Sequence, residues 1–390
     1  MVDQETIPES DSLPGLGEGA AGEVMSLVLA WSRDEPWRLG QSILVPPGDP
    51  GEVITFGRGP VETDRHKRLL HEHRFGRSIA QPPIATASIS RTQLELRSNG
   101  TGRIYVRNVG RCKLACNGVP TSETECGPGD TLQLGRQTLF VVAKRPARLA
   151  ETISSYPDFP FGDADAHGIV GESGGAWQLR SHIASIAPRT GHVLISGPSG
   201  SGKELAAQAV HALSRCKGRR LVARSAATIP ETLIDAELFG NSKNYPNPGM
   251  VERPGLVGEA HGSSLFLDEI AELPHGSQAH LLRLLDSGQY HRLGEATARQ
   301  AEIRLIAATN RDPATLKHDL LARMTLRIVV PSVAERLEDV PLLARHIVRR
   351  AAAGGDDLAR SILSSEDREP MFELEFVRKL LEHRYELGAR

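Results

Sequence analysis

The chain has 390 residues, too many for one ordinary hydrophobic core, so two or three domains are expected. Hydrophobic residues make up 39% and charged residues 24%, as in soluble globular proteins, and no stretch approaches the roughly 20 apolar residues of a membrane-spanning helix. The formal net charge of -2 at pH 7 excludes a strong overall attraction to nucleic acid. We therefore expect a cytoplasmic protein with no membrane contact, in which any contact with DNA is local or made through a partner.

The first 145 residues divide into an acidic leader and a β-rich region. Residues 1–24 are rich in glycine and proline and lack a basic start followed by an apolar run, so we expect a disordered leader rather than a secretion signal. From residue 25 to 145, short runs such as SLVLAW, EVITFGRG, QLELRSNGTG and RIYVRNVG are separated by turn residues. Six or more short strands at this spacing predict a small all-β sandwich.

A basic insertion, PVETDRHKRLLHEHRFGRSIAQPP, interrupts the β-rich region at residues 60–83. Its cations are Arg65, Lys67, Arg68, Arg74 and Arg77, and they are interleaved with three histidines. Two interpretations stay open. The insertion is either a solvated loop, which is the usual place for a run of charges, or an arm that contacts a phosphate group or a partner protein.

The sequence pattern changes after the β-rich region. Residues 146–166 are proline-rich and acidic in their second half, which is typical of an interdomain linker. Beyond them, apolar strand-like runs alternate with helical patterns, as in HVLISG before KELAAQAVHALSR and SLFLDE before HGSQAHLLRLLDSG. This alternation predicts a parallel sheet covered by helices over residues 167–332. Residues 333–390 show helical patterns alone, so we expect a small helical subdomain at the edge of that sheet.

The sequence GPSGSGKE, residues 197–204, follows an apolar strand and opens a helix. Glycines let backbone N–H groups converge on phosphate oxygens, the helix N-terminus adds positive potential, and the lysine reaches the outer phosphates. This pattern predicts a nucleotide site formed by Gly197, Ser199, Gly200, Ser201, Gly202, Lys203 and Glu204. Glu204 occupies the position at which a Ser or Thr hydroxyl ordinarily holds Mg²⁺, so other groups and water must hold this ion.

Two further strands end in polar residues that suit nucleotide chemistry. SLFLDEI ends its apolar run in Asp268 and Glu269, where one acid can hold Mg²⁺ and the other can orient and deprotonate the attacking water. IRLIAATN ends in Thr309 and Asn310, which are placed to report the state of the γ-phosphate. An ordinary strand-to-loop cap is the alternative for this second pair.

In chain order, GPSGSGKE, AELFG, GSSLFLDEIAELP, QAHLLRLLD, YHRLG, AATNR and ERLEDVPLLARH resemble the AAA+ ATPase domain of bacterial enhancer-binding proteins, the activators of sigma-54 RNA polymerase. The resemblance covers about residues 167–390. It implies a ring-forming ATPase, usually a hexamer, that uses ATP and Mg²⁺ to remodel a partner. It also implies phosphate binding by Lys203, Mg²⁺ binding by Asp268, a catalytic base in Glu269, sensor residues in Thr309 and Asn310, and an adenine neighbour in Gly171.

The chain departs from this family's pattern at several positions. The family supplies two arginines, six residues apart, to the ATP of a neighbouring subunit, and here LKHDLLARM carries Lys317 and Arg323 at these places. We expect Arg323 to keep this catalytic role, whereas Lys317 offers a point charge instead of a planar fork. Ser225 replaces an asparagine that restrains the catalytic glutamate, and Arg390 aligns with the last ATP-sensing arginine. We see no helix-turn-helix, so we expect an incomplete lid and no DNA-binding domain in this chain.

The loop after AELFG reads KNYPNPGM, where family members carry GAFTGA, whose threonine and phenylalanine contact the sigma factor. Its prolines fix φ and remove N–H donors, and Tyr245 and Met250 are its large apolar groups. We expect these two residues to contact a partner, either by a changed grip on sigma-54 RNA polymerase or by a grip on another protein. A passive connection is the alternative.

Within the β-rich region, FGRG, SISRTQLEL, NVGRCKLACNG and PGDTLQLG resemble a forkhead-associated (FHA) domain. Such domains bind phosphothreonine peptides through loops at one end of a β-sandwich, and cations at strand ends can surround a phosphate dianion. The expected phosphopeptide ligands are Arg58, Ser90, Arg91 and Arg111. Gln93 stands where the family has a structural histidine. A scaffold or autoinhibitory sandwich without peptide binding is the alternative.

Together these patterns predict a multidomain protein: an FHA-like all-β sandwich at residues 25–145, a linker at 146–166, an α/β P-loop AAA+ subdomain at 167–332 and a helical lid at 333–390. The expected function is ATP-dependent regulation of transcription, gated by a phosphothreonine-bearing partner. The alternative is a phosphopeptide-binding adaptor that binds ATP without remodelling sigma-54. A kinase or another phosphoryl transferase is disfavoured because no acceptor site accompanies the phosphate loop.

Overall fold

The computed structural model describes residues 22–46, 52–59, 64–74, 77–146, 156–365 and 369–385. Most of the expected leader, the first part of the expected linker and Arg390 lie outside these ranges. Among the described helices, none combines the length and the apolar character that a bilayer crossing requires.

The N-terminal part is a sandwich of two antiparallel sheets, so the predicted all-β fold is confirmed. Its strands are β1 (Glu23–Ser32), β2 (Ser42–Val45), β3 (Ile54–Phe56), β4 (His71–Arg74), β5 (Arg77–Ala80), β6 (Leu94–Ser98), β7 (Ile104–Asn108), β8 (Leu114–Cys116), β9 (Val119–Thr121), β10 (Glu123–Cys126), β11 (Thr131–Leu134) and β12 (Thr138–Pro146). One sheet has eight strands in the order β5-β4-β2-β1-β12-β11-β8-β9, and the other has four in the order β10-β7-β6-β3.

The core of the sandwich lies between its two sheets, where Phe56 meets Phe140 edge to face with ring centroids 5.5 Å apart. Strand β1 is buried on both faces. Leu27 and Leu29 point into this core, whereas Val28 and Ala30 belong to a second apolar cluster on the outer side of the sheet. A continuous apolar run such as SLVLAW is typical of a strand that is covered on both sides.

The basic insertion contains the β4–β5 hairpin, which extends the larger sheet at its edge. Lys67 and Arg74 in this insertion are only 3% and 5% exposed. A solvated loop is therefore the wrong interpretation for these two residues. Buried cations need hydrogen-bond acceptors around them, and the acceptors lie in other parts of the chain.

The second part of the chain alternates strands and helices. Its elements are α1 (Gly174–Ile186), β13 (Val193–Ser196), α2 (Lys203–Ala212), β14 (Val222–Ser225), α3 (Ile234–Phe239), α4 (Gly255–Glu259), β15 (Ser263–Asp268), α5 (His275–Ser287), β16 (Gln289–Tyr290), β17 (Arg299–Gln300), β18 (Ile303–Thr309), α6 (His318–Arg323) and β19 (Leu326–Val329). The order β14-β15-β18-β13-β19 forms a five-stranded parallel sheet.

Helices cover both faces of this sheet. Successive residues of β13 point to opposite faces, so Val193 and Ile195 pack with α1 and α2, while Leu194 packs in the cluster that contains α3, α4 and α5. The predicted α/β fold with a parallel sheet is therefore confirmed.

The C-terminal helices α7 (Val340–Ala353), α8 (Asp357–Ile362) and α9 (Leu374–Glu382) form the part expected to be a lid. Apolar residues of this part, including Val340, Val377 and Leu381, pack against Val28 and Ala30 on the outer face of the sandwich. This contact differs from the expected position at the edge of the parallel sheet alone. The physical reason is that the outer face of β1 and β12 is apolar, and burying it from water is favourable.

The described half of the expected linker also packs against its surroundings. The Asp165 carboxylate accepts hydrogen bonds from Tyr156 Oη at 2.7 Å and from Arg180 Nε at 2.9 Å. Arg180 lies on α1 and is fully buried. Residues 156–166 therefore form a fixed connection in the structure, rather than a free tether.

Candidate functional site: a nucleotide site and two loop clusters

The phosphate loop connects the carboxyl end of β13 to the start of α2. The main-chain N–H of Gly197 donates to Thr309 O on the neighbouring strand at 3.3 Å, so the loop begins in the middle of the sheet. Gly202 precedes the helix with φ of +103°, a conformation that residues with side chains rarely adopt. The first N–H groups of α2 therefore open toward the hollow of the loop.

The polar side chains of the loop are arranged around this hollow. Lys203 is buried, and its ammonium donates to the carbonyl oxygens of Gly197 and Pro198 at 2.9 Å each. Ser201 Oγ is buried and has no hydrogen-bond partner among the residues that the structure describes. A buried hydroxyl in this state fits a phosphate oxygen as its missing partner. Glu204 is exposed and accepts from Gln208 Nε2 at 3.3 Å.

The two acids at the end of β15 are held by their neighbours. Ser225, which lies beside Asp268 in the sheet, donates from Oγ to Glu269 Oε2 at 3.0 Å. The N–H of Glu269 donates to Asp268 Oδ1 at 2.9 Å. Glu269 has φ of 53°, a left-handed backbone conformation that is uncommon for a residue with a side chain. The structure thus brings Asp268, Glu269 and Ser225 together at the carboxyl edge of the sheet.

The other predicted residues at this edge differ in exposure. Thr309 is fully buried, and its Oγ1 accepts from Arg311 N at 3.0 Å, whereas Asn310 is exposed. Arg323 lies at the end of α6, and its half-exposed side chain forms an ion pair with Asp286. At the start of α6, the main-chain N–H of Lys317 donates to Gln278 Oε1 at 3.1 Å.

The segment that contains Gly171 lies beside the start of α2, because Ile169 packs in the cluster that contains Ala206 and Val210. A Cβ on Gly168 would lie 3.5 Å from Cδ2 of Leu205, in the first turn of α2. The buried Asp339 fixes the segment, because its carboxylate accepts from Glu172 N at 2.8 Å and from Ser173 Oγ at 2.6 Å. Sequence reasoning missed the role of Asp339, although it lies inside the ERLEDV motif.

The loop expected to contact a partner is closed at its base. Asn241 pairs with Arg253 across this base, and its side-chain amide donates to Ser242 O, Tyr245 O and Val251 O at 3.0 to 3.3 Å. Farther out, Asn244 N donates to Met250 O at 2.9 Å. Asn241 was not predicted as a site residue, because its role depends on the folded shape of the loop.

The apolar residues of this loop are unequally exposed. Tyr245 packs on Gly294 of the neighbouring β16–β17 turn and stays 42% exposed, while Met250 is half-buried. Val251, which sequence reasoning missed, is 76% exposed. The same turn contacts the loop again through Leu293, whose carbonyl accepts from Ser242 N at 3.0 Å.

The predicted phosphopeptide ligands lie together at one end of the sandwich. Arg58 N donates to Ser90 O at 3.1 Å, and Arg111 N donates to Ser90 Oγ at 2.9 Å. The side chains of Arg58, Arg91 and Arg111 are exposed, and in the described part of the chain they form no ion pair with a carboxylate. Lys67, which was not predicted as a ligand, donates from its buried ammonium to Arg91 O.

Residues 169–330 match the family model described as Sigma-54 interaction domain. Over 211 residues the chain is 39% identical to the transcriptional regulatory protein ZraR of Salmonella typhimurium strain LT2, which covers 52% of this chain and 48% of ZraR. The chain thus spans about half the length of the curated relatives it matches. Among solved structures, NtrX from Brucella abortus in complex with ADP is 30% identical, with a TM-score of 0.49, over 56% of this chain and 47% of that chain.

For the sandwich, the FhaA FHA domain in complex with the intracellular domain of Rv3910 is 21% identical, with a TM-score of 0.21, over 30% of this chain and 98% of that chain.

The matched family region, residues 169–330, begins just before Gly171 and ends just after β19, so it contains the phosphate loop, both acids and the altered loop. The resemblance to the ATPase domain of the sigma-54 activators is therefore confirmed for this part of the chain.

Proposed function

We propose that this chain is an ATP-hydrolysing regulator of transcription of the sigma-54-interacting type, and that its sandwich binds a phosphothreonine-bearing protein. The phosphate loop supports the first half of this proposal, ATP binding. It combines Gly202 in a left-handed conformation, the buried ammonium of Lys203 and the buried Ser201 hydroxyl that lacks a partner among the described residues. Converging N–H groups and an ammonium at a helix N-terminus are the arrangement that binds phosphates.

In this function each residue at the carboxyl edge of the sheet has a separate task. Mg²⁺, held by Asp268 and water, would neutralise charge on the phosphates. Glu269 orients the attacking water and takes its proton, while the Ser225 hydroxyl holds the Glu269 carboxylate at 3.0 Å. The left-handed φ of Glu269 supports this role, because strained backbone conformations cluster at functional sites.

Arg323 completes the site of a neighbouring subunit in a ring. Its side chain is half-exposed at the end of α6 and is held by Asp286. On assembly it would exchange this carboxylate for the phosphates of the neighbour, for which a guanidinium fork is suited. Thr309 and Asn310 act as sensors, Gly171 lies near the adenine, and Arg390, outside the described residues, keeps the role that the resemblance implies.

The experiment for the ATPase is phosphate release by the full chain and by Glu269→Gln. Loss of a general base lowers kcat by about 10²- to 10⁴-fold. ATP binding should persist in Glu269→Gln and should be lost in Lys203→Ala, because the lysine contacts the phosphates and Glu269 does not. Turnover by Glu269→Gln at the wild-type rate would contradict the assigned role.

Two proposed functions, sigma-54 remodelling and an adaptor function, differ in what the altered loop binds. Tyr245 is partly covered by Gly294, and Val251 offers the most exposed apolar side chain beside it. We would measure capture of sigma-54 by the full chain with ADP and aluminium fluoride, next to a family member that carries GAFTGA. Capture equal to that of the control supports a changed grip on sigma-54. Intact hydrolysis without capture favours the adaptor.

The sandwich supports the second half of the proposal, binding of a phosphothreonine-bearing protein. The main chains of Arg58 and Arg111 hydrogen-bond to Ser90, Arg91 follows it directly, and no described carboxylate pairs with their exposed side chains. A phosphothreonine dianion would supply this charge. In a phosphothreonine peptide array, Arg58→Ala should abolish binding, whereas Arg107→Ala, which removes an arginine 3.7 Å from Glu95 on β6, should not. Equal binding by wild type and Arg58→Ala would contradict the proposal.

A further inference from the structure

Arg74, at the end of β4 in the basic insertion, leaves the sandwich and enters the ATPase part of the chain. Its Nη2 lies 2.7 Å from Glu172 Oε1, and its Nε lies 3.3 Å from Glu172 Oε2, so the pair is bidentate. The guanidinium also donates to Phe159 O and Pro160 O and stacks on the Phe159 ring. Nearly all donors of this buried cation are thereby used.

Glu172 joins four parts of the molecule. Its side chain is fully buried and accepts from Arg74 of the sandwich, from Gly162 N of the linker at 2.7 Å and from Trp177 Nε1 of α1 at 2.9 Å. Its main-chain N–H donates to Asp339 at the start of the lid at 2.8 Å. The position of Glu172 therefore depends on the sandwich, the linker, α1 and the lid together.

The segment on which Glu172 lies also packs against α2, the helix that follows the phosphate loop. Ile169 packs in the cluster that contains Ala206 and Val210 of this helix, and a Cβ on Gly168 would lie 3.5 Å from Leu205 Cδ2. A shift of this segment would consequently change the space beside the first turn of α2, where the phosphates are proposed to bind. Packed interfaces transmit such shifts because they are dense and resist compression.

We propose that Arg74 is a positioning residue of the nucleotide site: the sandwich completes this site by fixing Glu172 and, through it, residues 168–173. The proposal rests on the proposed ATP binding. It assigns to the basic insertion a task inside the ATPase, besides the predicted phosphopeptide site at the end of the sandwich. Nucleotide affinity and docking of the sandwich are then thermodynamically linked, and each changes the other by the same factor.

The experiment is calorimetric titration of the full chain with ADP. We expect Arg74→Met to weaken ADP binding about tenfold, which is within the usual range of coupling between sites. Arg74→Lys keeps the charge without the fork and should lie between wild type and Arg74→Met. Trp31→Phe is the control, because it removes the hydrogen bond to Phe372 O at 2.7 Å in another contact between sandwich and lid and keeps an aromatic ring there. It should bind ADP like wild type.

The double variant Arg74→Met with Glu172→Gln separates positioning from general stability. Arg74→Met alone leaves a buried carboxylate unpaired and should lower the unfolding midpoint, whereas the double variant has no unpaired charge and should recover it. A positioning role requires that ADP affinity stays low in the double variant, because the link to the sandwich is still broken.

Two outcomes would overturn the positioning role while ADP binding by wild type stands. One is wild-type affinity in Arg74→Met or in the double variant. The other is an equal loss of affinity in Trp31→Phe, which would assign the effect to docking of the sandwich in general. If the wild type itself does not bind ADP, the proposed function fails and the role of Arg74 fails with it.

Discussion

The amide of Gln93 is fully buried between the loops expected to bind a phosphopeptide. Its Oε1 accepts from Ser90 N at 2.9 Å, and its Nε2 donates to Asn108 Oδ1 at 2.6 Å and to Cys112 O at 2.9 Å. One side chain thus satisfies groups of three residues, Ser90, Asn108 and Cys112. This is a structural task, and it occupies the position at which the FHA resemblance has a histidine.

Replacing Gln93 by alanine should lower the free energy of unfolding by about 2 to 3 kcal/mol, because buried partners lose their hydrogen bonds. Gln93→His should lose less, since an imidazole ring also carries one donor and one acceptor. Urea unfolding of the full chain measures both values. An alanine variant within about 0.5 kcal/mol of wild type, the ordinary effect of a surface substitution, would contradict this role.

A second buried residue makes stability depend on pH. Burial, helped by the nearby Asp339, raises the pKa of Glu338 to about 7, although Arg145 of the sandwich, 4.0 Å away, opposes the shift. Between about pH 4.5 and pH 7 the folded chain keeps a proton that the unfolded chain releases. Stability contributed by this group is therefore lost as pH rises through this window, by up to about 3 kcal/mol.

Glu338→Gln should remove this component, so the variant should be more stable than wild type at pH 8 and similar to it at pH 4. His73 acts in the opposite direction, because burial, Arg145 and His71 lower its pKa to about 3, but both proteins share this contribution. The difference between the two urea-unfolding curves across pH isolates Glu338. Parallel curves would show that Glu338 does not titrate in this window.

Residues of the phosphate loop could be predicted because GPSGSGKE is contiguous and its chemistry depends on local spacing. Glu172 and Asp339 could not be assigned in this way. Arg74 is 98 positions from Glu172, and Asp339 is 167 positions from it. No local sequence pattern indicates a pairing between residues so far apart in the chain.

At the scale of elements, the altered loop and the β16–β17 turn behave as one unit. Gly294 in the turn has φ of +77°, and a Cβ at this position would overlap the Tyr245 ring. Tyr245 can therefore approach this closely only because residue 294 is a glycine without a side chain. A movement of the turn would be transmitted directly to the exposed residues of the loop.

Gly294→Ala should displace Tyr245 and accelerate amide hydrogen exchange in residues 242–251, with a loss of about 1 to 3 kcal/mol of stability. Gly100→Ala is a matched control, because Gly100 has φ of +73° but nothing within 4 Å of an added Cβ. It should show backbone strain alone and unchanged exchange in the loop. Unchanged exchange in Gly294→Ala would separate the loop from the turn.

The alternation of strands and helices could be predicted because apolar strands and amphipathic helices each have a local period. The β4–β5 hairpin could not. Its strands read HEHR and RSIA, with little of the apolar character that marks a strand. Its cation Arg74 is buried by contacts with Phe159, Pro160 and Glu172, which belong to the other part of the chain.

At the scale of the whole molecule, the sandwich and the lid share a buried surface. Val28, Ala30 and Val141 of the sandwich pack with Val340 and other apolar residues of the lid, and the indole of Trp31 donates to Phe372 O. Separating the two parts would expose this surface to water at a cost of roughly 25 cal/mol for each Å² of apolar area. The two parts therefore stabilise each other.

We expect the full chain to unfold in one calorimetric transition, and ADP to raise the midpoint of this transition as a whole. A ligand that binds only the folded state stabilises every part that unfolds together with its site. Scanning calorimetry with and without ADP tests this. Two transitions, with ADP shifting only one of them, would show that sandwich and ATPase unfold independently.

Sequence reasoning predicted both folds and a linker at residues 146–166, but it did not predict that the sandwich packs against the rest of the chain. SLVLAW is a continuous apolar run, which indicates that both faces of β1 are covered. The sequence does not say which part of the chain supplies the outer cover. That cover comes from the C-terminal helices, through Val340, Val377 and Leu381.

The contact between Trp31 and Phe372 joins residues 341 positions apart, and this separation affects how the protein is made. A ribosome adds about 5 to 20 residues each second, so roughly 20 to 70 s pass between the synthesis of the two residues. During this interval the sandwich has already left the exit tunnel, while the helices that cover its outer face do not yet exist. A newly made sandwich therefore presents an apolar surface to water, and a chaperone that shields β1 and β12 until α9 is complete would raise the yield of folded chains.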